Sequence, residues 1–405
     1  MKLFLFTYSF PYGFSEPFLE NEIGFLAERF EKIVIVPLCK IGEQREIPQN
    51  VEIQDSIIKF TPKDRKKMLV NGIFNFSPFR FAIKEFFSKK VYKNRKHLWN
   101  FFTSLLLLRA MSANKNLFKF LKKEVELDDK LYFYWGDKSA NLIPKIKKQL
   151  PENQNFVRFH GTDLYEYANA GYIPFRNYLF AKIDNFIPIS QDGKNYLLNN
   201  YKNIISQNKI SVQRLGVKDR GQNPEKQINE KFYILSCSWV VKVKRIDLII
   251  NALQNISFPV KWTHIGSGAL FDEMKKLCEN LPANIEVNFT GAMTNAEVMR
   301  YFTENHIDIF INVSKSEGVP VSIMESLSFG VPVIATDVGG TAEIVDNQVG
   351  KLLNANVTGE EIAAAINDFF QSDLKEFRKN ARTQWAQRCN SDKNYKEFAQ
   401  YLKEN

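Results

Sequence analysis

Two carboxylates, Glu317 and Glu325, stand eight residues apart in SEGVPVSIMESLSFG (316–330), with an almost wholly apolar or small run between them. A charge inside an apolar helix is costly unless something pairs with it. The run IDIFINVS (307–314) reads as a strand, KSEGV as a short loop, and Pro320 suits the first position of a helix that Gly330 and Pro332 end. A helix whose amino end follows a strand presents unpaired N–H groups and a positive dipole end, suited to a phosphate. Glu317 then lies beside whatever that end holds. Glu325, about one and a half turns in, is placed to accept hydrogen bonds from hydroxyls of the same ligand. The alternative makes Glu317 an exposed loop residue and Glu325 a local cap. Gly318-Val319-Pro320 behind the first carboxylate and the strand and Gly-Gly turn of VPVIATDVGG (331–340) favour the ligand.

Other chemistry-bearing positions also fall at strand ends. Gly266 and Gly268 in HIGSG follow a predicted strand, where they let a nucleotide approach the backbone, and Gly291 can do the same for its base. His160, one of four histidines, ends the strand-like NFVRFHG (155–161). Asp128-Asp129 lacks the D-x-D spacing of a metal-dependent transferase and reads as a solvated turn; with no Cys/His cluster, no metal is expected. Cys39, Cys237, Cys278 and Cys389 are scattered without a CxxC, which implies reduced thiols and a cytoplasmic setting.

The elements that must position these groups alternate. KLFLFTYS, KIVIVPL, KLYFYWG, NFVRFHG, NFIPIS and KISVQRLGV (209–217) read as strands separated by helical periodicities, the pattern of a parallel sheet covered on both faces. DRGQNPEKQINEK (219–231) is polar and charged and reads as a linker, after which the alternation restarts at FYILSCS (232–238). The expected organisation is α/β, with two Rossmann-like doubly wound parallel-sheet domains facing across a cleft. An acceptor-side domain would span 1–218 and a donor domain 232–370. A helical tail, 371–405, would pack back toward the first domain.

Of the 405 residues, the segment from Lys59 to Glu124 carries 17 Lys or Arg against three acids, so the net +10 is concentrated there and the remainder is acidic. The segment interleaves its cations with Phe and Trp. No nucleic-acid module accompanies it, and an amphipathic surface meeting anionic lipid fits better than nucleic acid, a solvated face being the plainer alternative. No run approaches the ~20 apolar residues of a membrane span. The opening MKLFLFTYSF lacks a small-residue cleavage site and reads as a first strand rather than a signal peptide.

SEGVPVSIMESLSFGVPVIATDVGGTAEIV resembles the donor-binding segment of family 4 glycosyltransferases, with their E-x7-E motif and GT-B fold. SFPYGFSEPFLENEI, RFHGTDLY, SCSWVVKVKRIDLIINAL, HIGSG and VNFTGAMTNAEV fall where that family places its corresponding blocks, so the likeness covers nearly the whole chain. It is nearest the bacterial branch that builds capsular, exopolysaccharide and lipopolysaccharide glycans. The resemblance implies a retaining, metal-independent and cofactor-free transferase using a nucleotide-diphosphate sugar as donor substrate, on a lipid-linked glycan acceptor. It would be cytoplasmic and peripheral on the inner face of the plasma membrane through segment 59–124.

The same resemblance implies roles residue by residue. Glu317 would contact the transferred sugar, Glu325 the ribose, and the amides after Gly318 the sugar and diphosphate. Lys244 would neutralise the leaving diphosphate, His160 would contact the sugar, and Gly13 would approach the donor phosphate, with Glu16 and Asp163 on the acceptor side. Many relatives carry Arg five residues before the lysine; here that position is Trp239, and Lys242 and Arg245 are the nearby cations. Two rivals are a nucleotide-sugar-binding scaffold without catalysis and another GT-B reaction such as nucleotide-sugar epimerisation.

Overall fold

The structure is a computed structural model that describes residues 1–13, 15–58, 80–226 and 231–405. The chain divides into two compact units, Met1–Gln213 with Tyr395–Asn405, and Arg214–Asn394.

The first unit is a six-stranded sheet of β1 (Lys2–Thr7), β2 (Lys32–Pro37), β3 (Val51–Ile53), β4 (Lys130–Phe133), β5 (Asn155–Phe159) and β6 (Asn185–Pro188), in the order β3-β2-β1-β4-β5-β6. All neighbours are parallel. Strands buried on both faces need continuous apolar runs rather than alternation. In β1, Leu3 to Phe6 are fully buried, with Leu3 and Leu5 in one cluster and Phe4 and Phe6 in the other. Phe6 pairs in register with Phe133, and their rings stack at 4.2 Å.

A buried ion pair crosses this unit. Arg158 on β5 meets Glu22 of the helix Leu19–Ala27, both fully buried; the Tyr132 hydroxyl donates to Glu22 Oε1 at 3.0 Å. The Arg158 guanidinium also donates to the Gln213 carbonyl at 3.2 Å and lies 4.4 Å from the Phe398 ring. Those contacts fasten the C-terminal helix Ser391–Glu404 to the first sheet.

The second unit repeats the plan with β7 (Phe232–Cys237), β8 (Val260–Ile265), β9 (Ile285–Gly291), β10 (Ile309–Asn312), β11 (Val333–Thr336) and β12 (Gly350–Leu353), in the order β12-β11-β10-β7-β8-β9. Counted from its own first strand, this is the same winding read from the other edge. The point where strand order reverses, β1/β4 in one unit and β7/β10 in the other, is where such sheets hold ligands.

Two expectations change, and a third gains a detail. KISVQRLGV forms no strand: Ser211 and Gln213 donate to Phe186 and Pro188 as the chain runs extended beside β6. Of the expected linker, 227–230 lie outside the described residues; the portion before them is mostly exposed and is anchored at one position. Asn223 is buried, its Nδ2 donating to the Phe302 and Asn305 carbonyls and its Oδ1 accepting from Ile307 N, so polar composition here serves a helix end. The tail divides: the helix Lys375–Arg388 belongs to the second unit and packs on the helix Val321–Ser328, while Tyr395–Asn405 joins the first. Trp385 and Ala381 are the buried residues that hold the former in place.

Candidate functional site

The site grows from the reversal point of the second sheet. The loops leaving β7 and β10 are tied together where Lys315 N donates to Val243 O at 2.8 Å. This brings Lys244, from the first loop, onto Glu317, from the second, at 2.5 Å between Nζ and Oε1. Asn312 Nδ2, at the end of β10, reaches the same carboxylate oxygen at 3.4 Å. A salt bridge therefore straddles β7/β10, its partners largely shielded, with 22% and 12% of their side chains exposed.

The loop holding Glu317 is clasped from β11. Gly340 N donates to Gly318 O at 2.6 Å, and a Cβ on Gly339, whose φ is +55°, would stand 2.1 Å from Glu317 O. Only glycine allows that approach. The Gly-Gly turn thus shapes the Glu317 loop. Beyond it, Val319 and Pro320 are buried, while Val321 and Ser322 are half-exposed at the start of the helix Val321–Ser328, where N–H groups have no intrahelical partner.

Glu325 lies on that helix and is 9% exposed. Its Oε1 accepts from Asn295 Nδ2 at 2.8 Å, and burial without a cation pushes its carboxyl up to about 7. Cys237, ending β7, has its thiol pushed up to about 12 by burial and by the negative charge of Glu325, against the pull of Lys244. The sequence offered Cys237 only as one of four scattered thiols and Asn295 only within the VNFTGAMTNAEV block, with no role for either.

The glycines of HIGSG have a local reason. A Cβ on Gly266 would lie 1.9 Å from Ser238 O and one on Gly268 2.5 Å from Val240 O, so both let the β8 turn nest against the β7 loop that carries Lys244. Gly291 (φ +80°) faces open space, leaving room beside β9. Of the cations near Trp239, Arg245 is spent: its guanidinium donates to the carbonyls of Val313 at 2.6 Å, Ala355 at 2.7 Å and Ser314 at 3.1 Å. Lys242 is exposed, as is Trp239 at 69%.

In the first unit the reversal point is sealed from within. Glu16, expected on the acceptor side, accepts from the amides of Tyr8, Ser9 and Phe10 at 2.7, 2.9 and 2.7 Å and from Trp135 Nε1 at 2.8 Å. Both oxygens are committed to joining the loop after β1 to that after β4, so Glu16 is a staple rather than a ligand group. Gly13 is likewise used in packing: its amide donates to Glu43 O, and a Cβ would stand 2.4 Å from Ile41 O. Phe14 lies outside the described residues.

Asp163 organises the other strand end. Its Oδ1 accepts from His160 N and Gly161 N, and its Oδ2 from Gly136 N. Burial pushes this carboxyl up, but the His160 side chain and these amides outweigh it and hold it below the ordinary range. His160 packs on Tyr134 and Trp135, with Nδ1 3.6 Å from Asp163 Oδ2 and Nε2 without a partner among the described residues. The imidazole is the group this loop leaves uncommitted.

The matching domain is of one class: residues 218–387 match the family model described as glycosyl transferases group 1. The amylovoran biosynthesis glycosyltransferase AmsK of Erwinia amylovora is 24% identical over 278 residues, 65% of either chain. The uncharacterized glycosyltransferase MJ1178 of Methanocaldococcus jannaschii is 29% identical over 284 residues, 68% of this chain and 74% of that one. Anabaena Alr3699/HepE, solved with UDP, shares the fold at a TM-score of 0.68 and 16% identity over 100% of both chains. The two Rossmann-like units are those of the GT-B architecture.

Proposed function

We propose that the chain is a retaining glycosyltransferase that moves a sugar from a nucleotide-diphosphate donor onto a bacterial surface glycan carried on a lipid. The observation that carries this reading is the Lys244–Glu317 pair across the β7/β10 reversal point, with buried Glu325 on the adjoining helix. Three features there suit three parts of one ligand. Glu325 accepts from ribose hydroxyls, which return the hydrogen bonds that burial removed. The amides of Val321 and Ser322, at the half-buried start of the helix, meet the diphosphate together with Lys244. Glu317 accepts from hydroxyls of the sugar.

As the bond between the anomeric carbon and the phosphate oxygen breaks, charge builds on the diphosphate. A fixed cation at that place stabilises the transition state more than the ground state. In this reading Lys244 exchanges its carboxylate partner for the phosphate, and the cation there is a side chain rather than a metal ion. The acceptor oxygen bonds the anomeric carbon on the face that the phosphate leaves, and its proton passes to the departing phosphate oxygen. The relatives named for polysaccharide assembly support the acceptor class.

The helices Arg80–Ser88 and Arg95–Ser112 support a membrane-facing position. Phe87 (64%), Trp99 (73%), Ile83, Tyr92 and Phe102 are exposed among the exposed cations Lys84, Lys89, Lys90, Lys93, Arg95 and Lys96. Aromatics with cations on one surface suit the headgroup region of an anionic bilayer. Residues 59–79 of the basic segment lie outside those described. No helix among the described residues is long and apolar enough to cross a membrane.

The reaction is tested by incubating the chain with a panel of nucleotide sugars and following nucleoside diphosphate release. Wild type should turn over at least one donor, and Lys244→Ala should lower that turnover about 100-fold. The pair is only 22% and 12% exposed, so the truncation also costs some folding stability, and turnover is compared at a temperature where urea unfolding shows the variant fully folded. Undiminished turnover in the variant removes the role of Lys244, and no turnover of any donor by wild type removes the transferase.

A further inference from the structure

Glu325, the ribose contact of the proposed site, is held from one side only. Its Oε1 accepts from Asn295 Nδ2 at 2.8 Å, whereas no donor among the described residues reaches Oε2. That second oxygen lies at the small part of the residue, 9%, that solvent still touches. We infer that Asn295 is a positioning residue for nucleotide binding, its amide holding Oε1 so that Oε2 is turned to the ribose. The inference rests on the nucleotide reading for the identity of the ligand, while the hold of Asn295 on Glu325 stands on the contact itself.

Asn295 is kept in a fixed place. It opens the helix Asn295–Glu304, whose start is closed by a reciprocal pair. Thr294 N and Oγ1 donate to Glu297 Oε2 at 2.7 and 2.8 Å, and Glu297 N donates to Thr294 Oγ1 at 3.3 Å. Val298 and Phe302 are the buried residues of this helix, and the Tyr301 hydroxyl donates to Thr263 Oγ1 on β8 at 2.9 Å. Asn295 itself is exposed, so its amide serves no core. An ionised carboxylate only accepts. The amide must therefore present its nitrogen, and the planar carboxylate is oriented by it.

That the donor is neutral matters. A lysine or arginine at 295 would take the carboxylate as an ion pair and compete with any hydroxyl for it. An amide supplies one hydrogen bond and leaves the second oxygen to the ligand. The surrounding elements bring no competing cation. β10 and β11 carry no ionisable residue, and Arg378 and Arg382 of the helix Lys375–Arg388 donate to Ile307 O, Ser328 O and Asp219. Lys244 is paired with Glu317, Glu297 is folded back on Thr294, and Arg300 is exposed. Cys237, ending β7, is a thiol that burial and the Glu325 charge keep from ionising. Asn295 is thus the group that offsets the burial of Glu325, whose carboxyl stands at about 7.

The test uses the full chain and begins without ligand. Carbon-13 NMR of carboxyl-labelled glutamate follows Glu325, its signal assigned by its loss in Glu325→Gln. The titration midpoint should rise by about one pH unit or more in Asn295→Leu, where the ionised form loses its donor. Asn295→Gln keeps an amide and should bring the midpoint back toward wild type. Calorimetry then follows whichever of UDP, GDP and ADP the wild type binds, from pH 6 to 9. Affinity should rise with pH as the carboxyl ionises. At pH 7 Asn295→Leu should bind at least about fivefold more weakly, the fall in ionised fraction that a one-unit rise brings. At pH 9 the deficit should shrink without vanishing, the remainder being lost orientation. An unchanged midpoint in Asn295→Leu, equal midpoints in the Leu and Gln variants, or a deficit that vanishes at pH 9 would overturn the assignment. The two readings fail separately. No binding of any of the three nucleotides by wild type ends the nucleotide reading, and the NMR midpoints then decide whether Asn295 holds Glu325 at all. Binding with equal affinity in wild type and Asn295→Leu ends this inference alone.

Discussion

Glu325→Gln should stabilise the protein while removing a group the ligand needs, and the gain should depend on pH in a fixed sense. The folded carboxyl is pushed up to about 7 from the ordinary 4.5 by burial, with only Asn295 to offset it. Between those values the folded chain holds a proton that the unfolded chain has released, so stability falls as pH rises and levels off once both states are ionised. At 1.36 kcal/mol per pH unit, the ionised carboxylate costs about 3 kcal/mol above pH 7 and nothing below about 4.5. Glutamine carries no charge at any of these pH values and still accepts from Asn295. Urea titrations of both proteins at pH 5, 6, 7 and 8 should show midpoints that nearly coincide at the acid end. They should separate by about 1 M at pH 8, given an m-value of ~2–3 kcal/mol/M. An offset that does not change with pH would mean that Glu325 is not held against its own ionisation, and the argument that it waits for ligand hydroxyls would go with it.

Breaking the buried Arg158–Glu22 pair should be expensive: Arg158→Met leaves Glu22 without its cation in a fully buried site, with only the Tyr132 hydroxyl beside it, for a loss of ~3–5 kcal/mol by urea unfolding, and adding Glu22→Gln should recover most of it. Recovery of none would show that the arginine acts through packing on Phe398 instead. For the exposed aromatic and basic surface, flotation with anionic liposomes should retain the protein at low salt and release it at high salt, and Trp99→Ser with Phe87→Ser should reduce the retained fraction. Binding to neutral and anionic vesicles alike, or to neither, contradicts the membrane-facing role, and salt-sensitive binding to RNA but not vesicles would assign the patch to nucleic acid.

Much of the fold was legible because it is written in local runs. The long strands are continuous apolar stretches between helical periodicities, and both sheets followed from that alternation. Edge strands β3 and β12, of three and four residues, carry too little pattern to stand out. KISVQRLGV shows the opposite failure: its residues suit a strand, but only the neighbouring chain decides whether a ladder forms. In the site, Glu317 and Glu325 were visible because carboxylates in an apolar stretch contradict their surroundings. Lys244 came from resemblance, and its meeting with Glu317 depends on two loops brought together by the β7/β10 crossing.

Roles that depend on distant partners were hidden. Glu16 looks like a loop carboxylate in a ligand-facing segment, and only the curl of the chain shows three backbone amides and Trp135 occupying it. The neighbours of Gly266, Gly268 and Gly339 are likewise backbone atoms from other strand ends, which the sequence around them does not name. Arg245, a candidate to replace a missing phosphate cation, is committed to three carbonyls that no spacing rule would supply. Types of residue announced the chemistry, while their availability required the fold.

The central claim is that Lys244, Glu317 and Glu325 line one nucleotide-diphosphate site. Calorimetric titration of wild type and Glu325→Ala with UDP, GDP and ADP tests it most directly. The account predicts that wild type binds at least one of these and that the variant binds it at least tenfold more weakly, with ~1.4 kcal/mol or more lost. Equal affinity in the two proteins, or no binding of any nucleoside diphosphate by wild type, would contradict it.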